Sequence, residues 1–143
     1  MSTLLADLLS RDPQRIWSSA CAVIRLHGGP ALDELAAHLP KIERETAGVA
    51  LGGALFPNSE HLQQALGVLR VRRDGVCSCR LYPIYLMYDP EKEVQAGRVQ
   101  MLYADGPSNW NMNYRCRCFR CGTDYDVEQG ESHYAWWQWR AVQ

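Results

Sequence analysis

The sequence predicts an α+β protein, with a helical N-terminal lobe over residues 1–73 packed on a C-terminal antiparallel sheet over residues 74–143. Three observations predict it. Residues 1–73 hold 2 of the 14 aromatics and one of the six cysteines, whereas residues 74–143 hold 12 and five. Apolar residues of the first part recur every three or four positions, as on a helix with one buried face. The second part is rich in Tyr, Trp and Val between turn signals, as in short strands. The charges barely differ, 8 basic and 7 acidic residues against 7 and 9, so the change is architectural. At 143 residues the two lobes are expected to form one compact unit with a core that needs no staples.

Asp12-Pro13 offers an N-cap followed by proline at the first helical position, and Gly28-Gly29 stops that helix. Ile16, Trp17, Ala20, Val23, Ile24 and His27 form its buried face. Leu32, Leu35, Ala36, Leu39 and Ile42 carry the next segment, which Pro40 should break, because its ring clashes with the preceding turn. Gly48, Gly52 and Gly53 mark an irregular link ending at Pro57. Asn58 or Ser59 then caps a helix containing Leu62, Ala65, Leu66 and Leu69. Strands are expected near 76–88, 98–104, 112–118, 123–128 and 133–140, separated by Asp89-Pro90, Gly106-Pro107 and Gly130. In 98–104, Val99, Met101 and Tyr103 should share one face. The sheet should therefore have four or five strands.

With 15 basic and 16 acidic residues, the chain has no global field to attract nucleic acid or an anionic membrane. No apolar run approaches the ~20 residues of a membrane span. The opening MSTLLADLLSRD has no basic region ahead of its leucines, unlike a signal peptide, so a reducing cytoplasm is expected. There, cysteines serve metal or chemistry more often than disulfides.

Cys118-Phe119-Arg120-Cys121-Gly122 has the form of a knuckle between two strands. Two thiolates converge on one metal, and the trailing glycine can take the left-handed conformation of such a turn. Cys77 and Cys79 supply a second pair; as residues i and i+2 of a strand they would face the same way. The expectation is one structural Zn²⁺ held by Cys77, Cys79, Cys118 and Cys121 in a zinc-ribbon-like sheet. Cys116 stands in reserve, and His133 is a weaker substitute. A closed four-cysteine site leaves no open coordination position. Cys21, among Ala20, Ala22 and Val23, reads as a small buried hydrophobe. Arg72, Arg73, Arg80, Arg115, Arg117 and Arg120 cluster near the cysteines in sequence and are expected to offset the −2 charge of a zinc–tetrathiolate.

Catalytic patterns are missing: there is no Gly-x-Ser-x-Gly, no Gly-x4-Gly-Lys and no His-Glu-x-x-His. His27, His38 and His61 lack partners in spacing and read as structural, so no enzyme is expected. Asp124, Asp126, Glu128 and Glu131 alternate along one hairpin. Residues 132–140, Ser-His-Tyr-Ala-Trp-Trp-Gln-Trp-Arg, place Ala135, Trp137 and Trp139 on a core face, with Tyr134, Trp136, Gln138 and Arg140 opposite.

Leu51-Gly52-Gly53-Ala54-Leu55, Pro57-Asn58-Ser59, Cys77-x-Cys79-x-Leu81-Tyr82-Pro83, the run Cys116-x-Cys118-x-x-Cys121-Gly122, and His133-Tyr134-x-Trp136-Trp137-x-Trp139 together resemble small bacterial proteins. Those proteins are similar to the immunity partners of polymorphic toxins. The resemblance implies a cytoplasmic, non-enzymatic protein that neutralises one toxin domain by stoichiometric binding, with zinc as scaffold. It transfers no binding residues. The acidic hairpin of Asp124, Asp126, Glu128 and Glu131, with Tyr134 or Trp136 as aromatic anchors, is the expected partner surface, because an acidic edge can mimic phosphates before a basic cleft. The alternative is a zinc-ribbon nucleic-acid-binding or transcription-associated protein, for which interleaved arginines and aromatics speak.

Overall fold

In the computed structural model, residues 3–54, 56–106 and 112–143 are described; Leu55 and Pro107, both noted above, lie outside them. The fold is α+β, and the chain divides into two units, Met1–Ser78 and Cys79–Gln143.

The first unit is helical: α1 (Thr3–Leu8), α2 (Pro13–Arg25), α3 (Pro30–Ala37), α4 (Leu39–Thr46) and α5 (Asn58–Asp74). Asp12 caps α2 as expected; its carboxylate accepts the N–H groups of Gln14 and Arg15, two donors the helix itself cannot satisfy. Pro40 separates α3 from α4, since a proline fits only in a helix's first turn. The start of α5 differs from expectation. Pro57 is the cap residue, and no side chain caps the helix. Asn58 instead turns back: its N–H donates to the Gly52 carbonyl at 2.9 Å, and its Nδ2 donates to the Leu51 carbonyl at 3.0 Å. That fold-back requires Gly53, where φ is +112° and a Cβ would lie 2.7 Å from the Asn58 nitrogen. Ile16, Ala20, Val23, Leu35, Leu39, Ile42, Ala65 and Leu69 form the core, with α2 packed on α5. Trp17, Ile24 and Cys21 are half-buried, and His27 is exposed. Burial raises the Cys21 thiol above its ordinary range. His61 meets Phe56 at a 51° tilt, 4.9 Å between ring centres, and burial lowers its imidazole.

The second unit opens with a departure. Residues 76–88 do not form a strand; Ser78–Ile84 is a 3-10 helix. Its period explains why. Cys79 and Tyr82, one 3-10 turn apart, are both buried, the spacing of three continues past the helix in the buried Tyr85 and Tyr88, and Ile84 is exposed. Asp89-Pro90 is not merely a turn. Asp89 accepts the Glu91 N–H and opens α6 (Pro90–Gln95) with the same Asp-Pro signature that starts α2. Glu93 of α6 is 5% exposed and meets Arg98 at 3.0 Å and the Tyr82 hydroxyl at 2.8 Å. Burial and this carboxylate push the Tyr82 hydroxyl far upward, so it stays protonated and donates.

Four strands follow: β1 (Val99–Asp105), β2 (Asn113–Cys118), β3 (Asp124–Glu131) and β4 (Ala135–Ala141), an antiparallel meander in chain order. Tyr114, Cys116, Cys118, Tyr125, Val127 and Trp139 bury one face. Trp139 is fully buried, stacks on Tyr82 at 4.1 Å, and donates its Nε1 hydrogen to the Tyr88 carbonyl at 2.9 Å. Of the other two residues expected beside it, Ala135 and Trp137 are only half-buried. Tyr103 also departs from expectation. The ladder shifts register between Met101 and Tyr103, and this bulge turns Tyr103 to the outer face under the Arg115 guanidinium. Trp136 lies across Gly130, its register partner on β3; a Cβ there would sit 2.1 Å from the indole. Among the described residues, no helix is long and apolar enough to cross a membrane.

Two substitutions test this packing. Gly130→Ala should displace Trp136 and cost about 1–3 kcal/mol by overpacking, seen as a lower urea midpoint with altered tryptophan emission. Glu93→Gln should cost about 3 kcal/mol, because it removes the charge paired with Arg98 and puts an amide NH2 donor where one acceptor oxygen stood; chemical denaturation reads the loss.

Candidate metal centre

The sulfur atoms of Cys77, Cys79, Cys118 and Cys121 all lie within 4.8 Å of one another. Around a zinc ion with Zn–S bonds of about 2.3 Å, tetrahedral sulfurs stand about 3.8 Å apart, so these four fit a single ion with small side-chain shifts. The cluster could hold a metal, and all four thiols are the ones the cysteine spacing singles out.

The two pairs arrive by different routes. Cys118 ends β2, and the turn to β3 closes with the Gly122 N–H donating to the Cys118 carbonyl and the Cys118 N–H donating to that of Thr123, both at 2.9 Å. Gly122 has φ +77°, the left-handed conformation expected of the glycine after the knuckle. Cys77 and Cys79 are not on a strand. Cys79 lies in the first turn of the 3-10 helix, and Cys77 directly precedes that helix. The Tyr125 hydroxyl donates to the Cys79 carbonyl at 3.0 Å and lies 3.2 Å from the Cys79 sulfur. Burial and this sulfur raise the Tyr125 hydroxyl, which stays protonated, while the nearby Arg80 opposes that rise. Thr123 Oγ1 lies 3.2 Å from the Cys121 sulfur. Tyr125 and Thr123 are the site residues that spacing did not single out. The available signal was Tyr125's place on the buried face, opposite Cys116 in register.

Burial is uneven. Cys79 and Cys118 are buried, Cys77 is half-buried, and Cys121 is exposed. Cys116 stands apart from the group, fully buried, with its sulfur 3.9 Å from that of Met101. Burial pushes its thiol up to about 12, which keeps it protonated and makes it a poor ligand at neutral pH. His133 is exposed and is not in the group. No two cysteines among the described residues form a disulfide.

The arginines depart from expectation. Arg117 forks onto Asp124 at 2.7 and 3.0 Å, Arg115 bonds Asp126 at 2.8 Å, Arg72 bonds Asp33 at 2.7 Å and Arg73 bonds Asp74 at 2.9 Å. A carboxylate directly opposite in the ladder, as Asp124 is to Arg117, offers two parallel bonds that a sulfur cannot match. Arg117 accordingly holds the Asp124 carboxyl below its usual range. Of the six arginines, Arg80 is the one that acts on the cluster's surroundings, through Tyr125. The expected partner surface sits beside these pairs. Asp126 and Glu128 are exposed and Asp124 half-buried, with Glu128 near Arg140 at 3.4 Å; Glu131 is exposed, and Tyr134 and Trp136 are half-buried.

No family model, curated protein or solved structure matches the chain.

The cluster makes a direct claim about ligands. Elemental analysis of untagged protein should find about one metal ion per chain. Cys118→Ser should lose it and unfold the sheet unit, because thiolate binding energy is folding energy. Cys116→Ala should keep the metal and lose only about 1 kcal/mol for the buried sulfur.

Proposed function

We propose that the chain is a structural-zinc protein-binding module of the bacterial cytoplasm, without catalytic turnover, that neutralises a cognate toxin domain by stoichiometric occlusion. The observation that carries the structural-zinc reading is the closed four-thiol cluster. Thiolates select zinc over harder cations, and four of them complete its tetrahedron with no position left for water or substrate. Such an ion holds a scaffold together and does no chemistry. Toxin neutralisation rests on the resemblance of the motifs between Leu51 and Trp139 to immunity proteins.

The partner would meet the outer face of β3 at Asp124, Asp126 and Glu128, with the exposed Glu131 at the strand's end, flanked by Tyr134 and Trp136. Arg115, Arg117 and Arg140 lie within hydrogen-bond distance of three of these carboxylates. The face therefore presents ion pairs rather than a bare negative field, and its attraction for a basic cleft is short-range. One feature favours the nucleic-acid alternative: Phe119 is 63% exposed and adjoins the exposed Arg120 at the tip of the knuckle, a pairing suited to base stacking.

Mixing the chain with the toxin domain encoded beside it should give an equimolar complex and a titratable loss of toxicity. Protection at strongly substoichiometric amounts would instead require an enzyme. Reversing Asp126 and Glu128 to lysine should slow association at low salt while leaving metal content intact. Salt-dependent oligonucleotide binding that Phe119→Ala abolishes would replace this reading with the alternative.

A further inference from the structure

The four thiols are not equivalent, and the asymmetry bears on how the site is emptied. Cys121 is the exposed member, while Cys79 and Cys118 are 2% and 5% exposed and Cys77 is half-buried. An oxidant arriving from solvent therefore meets the Cys121 sulfur first. Thr123 Oγ1 lies 3.2 Å from that sulfur. The sulfur of Cys79 stands 3.4 Å from that of Cys121, within reach of it, and Tyr125 keeps its hydroxyl against the same Cys79 sulfur. Cys116 is sealed in the core with its sulfur against that of Met101, so it does not compete.

We infer that the cluster is a redox-gated metal site, in which a peroxide oxidises Cys121 and Cys79 closes the first disulfide, expelling the ion. This rests on the structural-zinc reading and adds its regulation. In the first step the Cys121 thiolate attacks one peroxide oxygen and the O–O bond breaks. A sulfenic acid forms, and hydroxide leaves to take a proton from solvent. In the second, the Cys79 thiolate attacks the Cys121 sulfur, the S–O bond breaks, and a second hydroxide leaves and is protonated. Two thiolates have become one disulfide, and one peroxide has become two waters. The metal departs as the dication, because two remaining thiolates do not complete its tetrahedron. A thiol reductant reverses the disulfide, and fresh zinc refills the site.

The test uses the full chain carrying its zinc, treated with hydrogen peroxide. Zinc release is followed with a chromogenic chelator, and linked peptides are mapped after alkylation. The expected result is release of the bound zinc in step with the loss of two thiols, a Cys79–Cys121 linked peptide as the first bridge, and recovery after dithiothreitol and zinc. Cys116→Ala should behave as the parent chain. Zinc retained through excess peroxide overturns the inference and leaves the structural-zinc reading standing. A first bridge between Cys118 and Cys121 overturns the assigned pair. A chain that holds no zinc as purified overturns the structural-zinc reading and, with it, the gate; the same mapping then shows whether Cys79 and Cys121 still pair first.

Discussion

Tyr82 lies parallel to Trp139 at 4.1 Å, and Tyr125 meets both rings edge-on at 5.8 Å. Each such pair contributes about 0.5–1.5 kcal/mol beyond the area it buries, and Trp139 is among the largest wholly buried side chains. These rings fasten the 3-10 segment to the inner face of the sheet, and the Trp139 indole donating to Tyr88 locks the segment's far end. The position of Cys79 follows from that attachment. It lies three residues before Tyr82, one 3-10 turn away, and the Tyr125 hydroxyl bonds its carbonyl. The aromatic stack therefore brings a cysteine from one end of the unit's sequence to the β2–β3 turn, 42 positions further along the chain.

The two faces of the sheet obey different physics. The inner face is aromatic and aliphatic with two cysteines, and three of its polar tips are matched, Tyr114 with Gln129, Tyr125 with Cys79 and Trp139 with Tyr88, while the buried Trp137 Nε1 has no partner among the described residues. The outer face is a lattice of opposite charges in cross-strand register, extended by the bulge that lays Tyr103 beneath Arg115. Exposed pairs of this kind contribute little stability. Their consequence is electrostatic: three carboxylates and three guanidinium groups cancel, so neither sign dominates the face. Arg72, Arg73, Arg115 and Arg117 turn toward carboxylates, and the groups beside the thiols are the hydroxyls of Thr123 and Tyr125.

Much of the fold was legible in the residues because its causes are local. Asp12-Pro13 and Pro40 set helix boundaries through cap and ring sterics, and the alternation in β2 and β3 followed from their buried and solvated faces. The misreadings have separate origins. In residues 76–88, β-prone Tyr and Val outweighed a spacing of three, and a proline inside the segment favoured the tighter helix. At Asp89-Pro90 the same two-residue signature that marked α2 was taken for a turn. At Tyr103 a bulge, invisible to alternation, reversed the side chain.

By itself the sequence determined which four cysteines belong together and where the knuckle glycine must turn, because ligand chemistry and left-handed backbone are written in residue type and spacing. It also determined that the second part would hold an antiparallel sheet. The tertiary structure alone decided how Cys79 reaches the turn, which thiol faces solvent, and that Thr123 and Tyr125 attend the sulfurs. It decided as well that the arginines answer carboxylates. Those outcomes depend on register and stacking between segments distant in the chain, and a contact between distant segments leaves no local pattern to read.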